Sequence, residues 1–150
     1  IHSPFFVVNS IYDQWNLRCI WAAMPVPQGS NDTYECSHSV GWHDCVEHMN
    51  TCSSAQVEKL DAVWGSEFKR MMTQSAAMTK SGNGCFVFSC GIHGGECRAG
   101  WYSYRIGGVS PHDAVLKWWL DDADVHASHT YVDCSWKTNI CCNPTCCKNF

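Results

Sequence analysis

Two short apolar runs decide the fold of this sequence: PFFVVN at residues 4–9 and CFVFS at residues 85–89. Both are rich in aromatic and β-branched residues, which is typical of strands buried on both faces of a sheet. Between them lies a helical pattern in which apolar residues recur at three- and four-residue steps: Val57, Leu60, Trp64, Phe68, Met71 and Met72. Strand, helix and strand in this order predict a parallel βαβ core and hence an α/β fold.

The rest of the chain falls into segments on either side of this core. We predict a first strand over 4–13, a cysteine-pinned loop region over 16–54, a helix over 55–79, a second strand with a glycine-rich loop over 84–108, a helix over 111–122 and a cysteine-rich tail over 134–150. Ser54 is the expected N-cap of the long helix, and Ser110 followed by proline predicts the start of the next one. Two strands make too small a sheet, so we expect further strands from elsewhere.

The composition excludes several classes of protein. The 150 residues carry a formal net charge of −4, only 16% of them are charged, and 45% are hydrophobic, with eight tryptophans. So few charges and so many aromatic residues argue against intrinsic disorder. The slightly negative net charge does not favour binding to nucleic acid. No apolar run approaches the length of a membrane span. We therefore expect a folded chain whose partners include neither nucleic acid nor a membrane.

Twelve cysteines in a chain of this size indicate disulfides and an extracellular or luminal compartment. Cys45 and Cys52 flank a short loop and are the best candidates for a local disulfide. Cys134 is expected to pair with one of the tail cysteines. Cys142 and Cys146 are further disulfide candidates, and the sequence alone does not give the connectivity. The tail cysteines could instead bind zinc, but their spacing is not that of a usual zinc site and an extracellular setting favours disulfides.

Other features bear on the same compartment. Asn31 begins an Asn-Asp-Thr acceptor for N-glycosylation in a polar stretch, which agrees with a secreted protein. The chain opens with Ile1 rather than Met, so we expect that an upstream segment has been removed or omitted. His38, His43 and His48 are five residues apart, a step that does not keep to one helix face, so solvated histidines are favoured over a metal site.

Two chemically active residues follow the two predicted strands. Asp13 comes just after the first strand and His93 just after the second. Because sites in open α/β sheets lie at the carboxyl ends of the strands, these two side chains can meet in space. A buried carboxylate can accept a hydrogen bond from histidine Nδ1, fix the tautomer and stabilise the imidazolium formed in catalysis. The spacing alone leaves open that Asp13 is a turn-forming acid and His93 an ordinary loop histidine.

Five stretches in sequence resemble the pectin acetylesterase/Notum family of secreted serine esterases. Residues 4–15 (PFFVVNSIYDQW) resemble the strand that carries the family's catalytic acid, and residues 84–93 (GCFVFSCGIH) resemble the strand that leads to its catalytic histidine. The other three are the helices at 56–68 and 114–120 and the cysteine-rich end, 132–136 with 142–146. The resemblance covers nearly all of the chain.

This resemblance implies a Ser-His-Asp carboxylester hydrolase with an α/β-hydrolase-like fold, which needs no cofactor. Carried over by position, Asp13 is the acid of the triad and His93 the general base. The implied substrate is an O-acetyl ester on an extracellular polysaccharide such as pectin, although one branch of the family removes a fatty acyl group from a signalling protein. On its position alone, Trp15 is a candidate for lining the substrate pocket.

The sequence departs from the family in its nucleophile. The family's serine lies in a Gly-x-Ser-x-Gly turn upstream of the acid, and no such motif occurs in residues 1–150. The resemblance therefore implies the C-terminal portion of an esterase, whose partner is an N-terminal portion or chain that carries the serine. Gly94 also stands where plant-like members often have cysteine, and the tail cysteines are doubled. The alternative is a non-catalytic secreted module of the same fold with a structural or binding role.

Overall fold

Three parallel strands form the sheet of this protein, whose computed structural model describes residues 3–21, 41–94, 100–121, 129–136 and 142–145. The strands are β1 (Phe6–Ser10), β2 (Gly84–Phe88) and β3 (Thr130–Val132), in the spatial order β1-β2-β3. Both predicted strands are present, and β1 is shorter than the predicted 4–13. The third strand was not predicted. With helices between the strands, the architecture is α/β.

Strands β1 and β2 pair in register along their whole length, from Phe6 opposite Gly84 to Ser10 opposite Phe88. One residue past β1, the Ile11 N–H donates to the Phe88 carbonyl at 2.8 Å. Every residue of β2 is buried, as expected of the central strand. Because the two strands end at the same level, the segments that follow them leave the sheet at one edge.

Helical segments fill the connections between strands. They are α1 (Gln14–Asn16), a π-helical turn (Leu17–Trp21), α2 (His43–Glu47), a 3₁₀ turn (Met49–Thr51), α3 (Ser54–Lys59), a second π-helical turn (Leu60–Gly65), α4 (Ser66–Gln74), α5 (Gly100–Ser103) and α6 (Pro111–Leu120). The predicted loop regions at 16–54 and 84–108 thus contain short helices, which are too brief to show an apolar period in the sequence.

The long helix between β1 and β2 runs continuously through α3, the second π-helical turn and α4. It begins with a capping box, in which Ser53 Oγ accepts from the Gln56 N–H at 3.3 Å and Gln56 Oε1 accepts from the Ser53 N–H at 2.8 Å. The N-cap is therefore Ser53 rather than Ser54, because only Ser53 has glutamine three residues on. The helix ends at Gln74, before the predicted residue 79, because the backbone of Ser75 is extended.

Helix α6 begins where the sequence predicts. Ser110 Oγ accepts from the Asp113 N–H at 3.1 Å, and proline occupies the first turn. The helix lies against β1 and β2. Near its end, Trp118 Nε1 donates to the Gly82 carbonyl at 2.7 Å, just before β2 begins. This hydrogen bond ties the C-terminal half of α6 to the amino edge of the sheet.

Apolar side chains pack on both faces of the sheet, because successive residues of a strand point to opposite sides. Cys85 and Val87 of β2 face the long helix, in the larger core cluster: Ile11, Tyr12, Leu17, Cys45, Val46, Met49, Val57, Leu60, Phe68 and Trp136 complete it. Phe86 and Phe88 face the other side, in a smaller cluster with Cys90, Tyr104 and Ala114. The sheet is therefore the middle layer between α3–α4 on one side and α5–α6 on the other.

Two disulfides join described residues. Cys45 and Cys52 are linked with their Cα atoms 4.4 Å apart, and Cys134 and Cys142 are linked with their Cα atoms 6.0 Å apart. The first is the local pair expected from the sequence, and the second joins Cys134 to one of the tail cysteines, as expected. Cys142 is therefore not available as a zinc ligand.

Three expectations fall outside the described ranges. The glycosylation acceptor Asn31, the tail residue Cys146 and the first histidine of the spaced set, His38, all lie there. Within the described ranges, no group of three His, Cys, Asp or Glu side chains is arranged to hold a metal ion. None of the helices described has the length and apolar character that crossing a membrane requires.

Gly65, the last residue of the second π-helical turn, marks a close contact of the long helix with the core. A Cβ atom built on Gly65 would lie 2.9 Å from Tyr12 Oη and 3.2 Å from Asp61 Oδ1. These two atoms are themselves joined by a hydrogen bond of 2.6 Å. A side chain at this position would therefore push the two groups out of place.

We expect Gly65→Ala to lower the free energy of unfolding by about 1–3 kcal/mol, the usual cost of overpacking, although alanine has the higher helix propensity. Tyr12→Phe removes the hydroxyl, so in that background Gly65→Ala should lower the free energy of unfolding by a smaller amount. Urea unfolding of the four proteins in this double-mutant cycle measures both effects. An equal cost in the two backgrounds would mean that the hydroxyl is not the obstacle.

Cys85 carries a free thiol at the centre of the sheet. The residue is fully buried, and this burial raises the pKa of the thiol to about 11. An unfolded thiol has a pKa of about 8.5, so at pH 8–9 the folded protein holds less thiolate than the unfolded chain. We expect iodoacetamide to modify Cys85 at pH 8 only in denaturant, as read by mass spectrometry. Modification of Cys85 in the folded protein at this pH would contradict the placement.

Candidate active site

Asp13 and His93 meet at the carboxyl edge of the sheet. His93 Nδ1 lies 2.9 Å from Asp13 Oδ2. Asp13 follows β1 by three residues and His93 follows β2 by five, so the in-register pairing of these strands brings the two segments together. The structure thus places side by side the two residues that strand order suggested.

The two partners differ sharply in exposure. The Asp13 side chain is 6% exposed, whereas the His93 side chain is 63% exposed. A carboxylate only accepts hydrogen bonds, so His93 Nδ1 is the donor in this contact. The other carboxylate oxygen, Asp13 Oδ1, accepts from the Asn16 N–H at 2.8 Å and caps α1. Two hydrogen bonds thus orient the carboxylate, and the imidazole can take a proton on its open side.

The strand end that leads to His93 is tied to the segment after β3. The backbone N–H and the Oγ of Ser89 donate to Asp133 Oδ2 at 3.0 and 2.8 Å. Asn143 Nδ2 donates to the same oxygen at 2.6 Å, and Trp136 Nε1 donates to the Ser89 carbonyl at 2.7 Å. The cysteine-rich tail therefore helps to position the histidine loop.

The loop itself is closely packed. Ser10 Oγ donates to the Cys90 carbonyl, which joins the ends of β1 and β2. A Cβ atom on Gly91 would overlap the sulfur of Met49 and lie 3.3 Å from the Trp136 ring. A side chain at this position would require Met49 to move, and its absence lets the loop approach the core.

The turn after β1 is held from the side of the long helix. Trp64 Nε1 donates to the Ile11 carbonyl at 2.7 Å. The hydroxyl of Tyr12 donates to Asp61 Oδ1 at 2.6 Å and accepts from the Trp136 N–H at 3.0 Å. Burial raises the pKa of this tyrosine well above its usual value, and the bond to Asp61 adds to the effect. The hydroxyl therefore stays protonated and keeps donating.

A lysine lies among the acids of the same region. Lys69 Nζ donates to Ser135 Oγ at 2.6 Å. Desolvation lowers the pKa of Lys69, and the charges of Asp61 and Asp133 oppose that shift. The amine thus links the long helix to the tail between two carboxylates.

Trp15, the candidate for lining the substrate pocket, lies beside His93. The centroids of the two rings are 6.3 Å apart with an interplanar angle of 33°, and Trp15 is 44% exposed. An exposed indole next to an imidazole can form one wall of a substrate site, because its face is apolar and its N–H can bond to a polar group.

The residues that support the pair were not identified from the sequence. Ser89 and Asp133 stand in stretches that carry the family resemblance, yet their role shows only in their mutual hydrogen bonds. Ser89 directly follows a buried strand, and a polar residue at that point is a signal for such a contact. Tyr12 offered no comparable signal, because a tyrosine beside an acid is common in turns.

Proteins of similar sequence indicate the family to which this chain belongs. A model of the pectinacetylesterase family matches residues 1–147. Among curated proteins, the chain is similar to pectin acetylesterase 7 of Arabidopsis thaliana, with 26% identity over 153 aligned positions that cover 97% of this chain and 33% of the relative. The chain thus spans about a third of the length of that relative, and no solved structure gives a significant match.

The family match agrees with the resemblance seen in the sequence. It extends over nearly the whole chain and includes both Asp13 and His93. The family predicted from the sequence is therefore confirmed, and this chain belongs to the pectinacetylesterase family.

Proposed function

We propose that this chain is the C-terminal portion of a secreted serine carboxylesterase with an α/β-hydrolase-like fold, which removes O-acetyl groups from a pectin-like polysaccharide. The observation that carries the proposal is the buried Asp13 carboxylate in a 2.9 Å hydrogen bond with the exposed His93 imidazole. Membership of the pectinacetylesterase family and the name of the Arabidopsis relative support the ester and the polysaccharide.

The mechanism follows from the roles of the two side chains. A serine attacks the carbonyl carbon of the acetyl ester, and His93 Nε2 takes the serine proton as general base. Asp13 holds the imidazole in the required tautomer and stabilises the imidazolium. His93 then gives the proton to the departing sugar hydroxyl, and water hydrolyses the acetyl-enzyme in a second round of the same proton transfers.

We assign the serine to an N-terminal portion of the enzyme. No Gly-x-Ser-x-Gly turn occurs in this sequence, and the chain spans about a third of its curated relative. The His93 side chain is 63% exposed, so a group from another segment can reach the imidazole. Secretion to the cell wall is part of the same proposal, and the two disulfides support an oxidising compartment.

A fluorophosphonate probe tests the serine mechanism directly, because it labels activated serines. The chain is isolated together with any polypeptide bound to it and then treated with the probe. We expect labelling of the serine-bearing portion, and we expect His93→Ala to abolish it. A folded wild-type complex that takes up no label would contradict the proposal and favour a non-catalytic structural or binding module.

Asp13→Asn should lower the turnover of an aryl acetate by about 10⁴-fold, because the imidazole loses the partner that fixes its tautomer. Folding should change little, since asparagine can still cap α1 by accepting from the Asn16 N–H. Asp44→Asn is the matched control: Asp44 lies 3.2 Å from His43 Nδ1, but its side chain is 91% exposed. Steady-state kinetics with circular dichroism checks both variants, and near-normal turnover of Asp13→Asn would remove this residue from the site.

Trp15→Ala should raise KM for an acetylated oligosaccharide by about two- to tenfold, the range expected for one aromatic contact. A small aryl acetate does not reach a sugar-binding wall, so its KM should stay the same. Trp119→Ala serves as control, because Trp119 is 74% exposed near the end of α6 that is tied to the amino edge. Equal effects on both substrates would argue that Trp15 acts on the histidine rather than on the sugar.

A further inference from the structure

We propose that Tyr12 is a positioning residue for Asp13: its buried hydroxyl, held between Asp61 and Trp136, fixes the turn from which Asp13 reaches His93. The inference rests on the proposed function, because it gives Tyr12 a part in the geometry of the same acid–base pair. The π-helical turn of the long helix, Leu60–Gly65, thereby also has a part in positioning the pair.

The tyrosine side chain is fixed on every side. Its ring is fully buried and stacks on the ring of Trp136, with centroids 3.8 Å apart and planes 19° apart. Its hydroxyl donates to Asp61 Oδ1 at 2.6 Å and accepts from the Trp136 N–H at 3.0 Å. Its own backbone N–H donates to Ser10 Oγ at 3.1 Å. Neither the ring nor the backbone of this residue can therefore shift without breaking a contact.

The long helix changes its geometry where it meets this hydroxyl. The π-helical turn Leu60–Gly65 contains Asp61, which accepts the hydrogen bond, and ends at Gly65, which leaves room for the hydroxyl. The same turn supplies Trp64, whose indole N–H donates to the Ile11 carbonyl at 2.7 Å. Single π-helical turns in α-helices are often found at functional sites. Here the turn directs two side chains at the pair of residues just before the catalytic acid.

Trp136 forms hydrogen bonds with the two segments that lead to Asp13 and His93. Its backbone N–H donates to the Tyr12 hydroxyl, and its indole N–H donates to the Ser89 carbonyl at the end of β2. One residue thus bonds to the turn that carries Asp13 and to the strand end that leads to His93. Loss of the Tyr12 hydroxyl would leave the Trp136 N–H without this partner, and the two segments could then move apart.

Packing of the ring alone would not require a hydroxyl at this position. A phenyl ring stacks on an indole as well as a phenol does, so phenylalanine would fill the same space in the core. The net contribution of the hydroxyl's hydrogen bonds to stability is about 1 kcal/mol each. Their contribution to catalysis is separate, because a small displacement of a catalytic group can cost far more in rate.

The test compares Tyr12→Phe with Trp118→Phe. Tyr12→Phe removes the two hydrogen bonds of the hydroxyl, and Trp118→Phe removes one hydrogen bond of the indole. Both variants keep an aromatic ring, but the 2.7 Å bond of Trp118 to the Gly82 carbonyl lies at the opposite edge of the sheet. In the assembled enzyme we expect Tyr12→Phe to lower kcat on an aryl acetate about ten- to a hundredfold with KM unchanged. Trp118→Phe should keep the wild-type kcat.

A second readout does not depend on activity. In proton NMR, the His93 Nδ1–H that bonds to Asp13 should give a downfield signal in the wild type and in Trp118→Phe. We expect Tyr12→Phe to weaken or abolish that signal. If Tyr12→Phe keeps both the signal and kcat, the positioning role is wrong and the proposed function stands. If the wild type turns over no ester, the proposed function fails, and the signal alone decides the geometric inference.

Asp61 provides a second route should Tyr12→Phe not fold. Asp61→Ala removes the acceptor of the hydroxyl, whereas Asp61→Asn keeps an amide oxygen in its place. We expect Asp61→Ala to lower kcat and weaken the His93 signal, and Asp61→Asn to restore most of both. Equal kcat and equal signals in the two variants would overturn the inference, because the hydrogen bond would then have no influence on the pair.

Discussion

The parallel pairing of β1 with β2 is the constraint on which the rest of the structure depends. The two strands are in register from Phe6 opposite Gly84 to Ser10 opposite Phe88. A strand advances about 3.3 Å per residue, so a slip of one residue would shift the segment after β1 by more than the whole 2.9 Å hydrogen bond between Asp13 and His93. The slip would also exchange the two faces of the strand, so the packing of both cores opposes it.

Asp13 and His93 differ in their exposure, since the aspartate is buried and the histidine is exposed. Burial of Asp13 protects its carboxylate from water, and two hydrogen bonds satisfy its oxygens. The His93 side chain is 63% exposed, so the imidazole remains accessible from solvent. The cost of fixing an acid beneath the surface is offset by contacts from two other segments. The long helix bonds to the turn before Asp13 through Asp61 and Trp64, and the tail bonds to it through Trp136.

Much of this arrangement can be predicted from local sequence. The two apolar runs identify β1 and β2, Ser110 with its proline marks the start of α6, and the order of strands places Asp13 and His93 at one edge. These features depend on neighbouring residues alone, so they appear in the sequence as patterns. The same holds for the Cys45–Cys52 disulfide, which closes a short loop.

Other features could not be predicted, because they depend on contacts between distant segments. Strand β3 has only three residues and is defined by its pairing with Cys85, Phe86 and Val87. The π-helical turn exists where the long helix meets a hydroxyl that lies 49 positions earlier in the chain. The capping box is the exception, since Ser53 and Gln56 form a local sequence pattern that identifies Ser53, and not Ser54, as the N-cap.

The β1 strand also bears on the proposed N-terminal portion. Among the described residues β1 pairs on one side only, with β2, and its side chains are half-buried. Natural edge strands are usually protected by charge, proline or a covering segment. Pro4 stands two residues before β1, but Phe6, Val7 and Val8 themselves form an apolar run without charge. Such a run is typical of a strand covered on both faces and paired on both sides. A parallel strand from the serine-bearing portion would satisfy the free edge of β1, and its carboxyl end would then lie at the edge of the sheet where His93 is exposed.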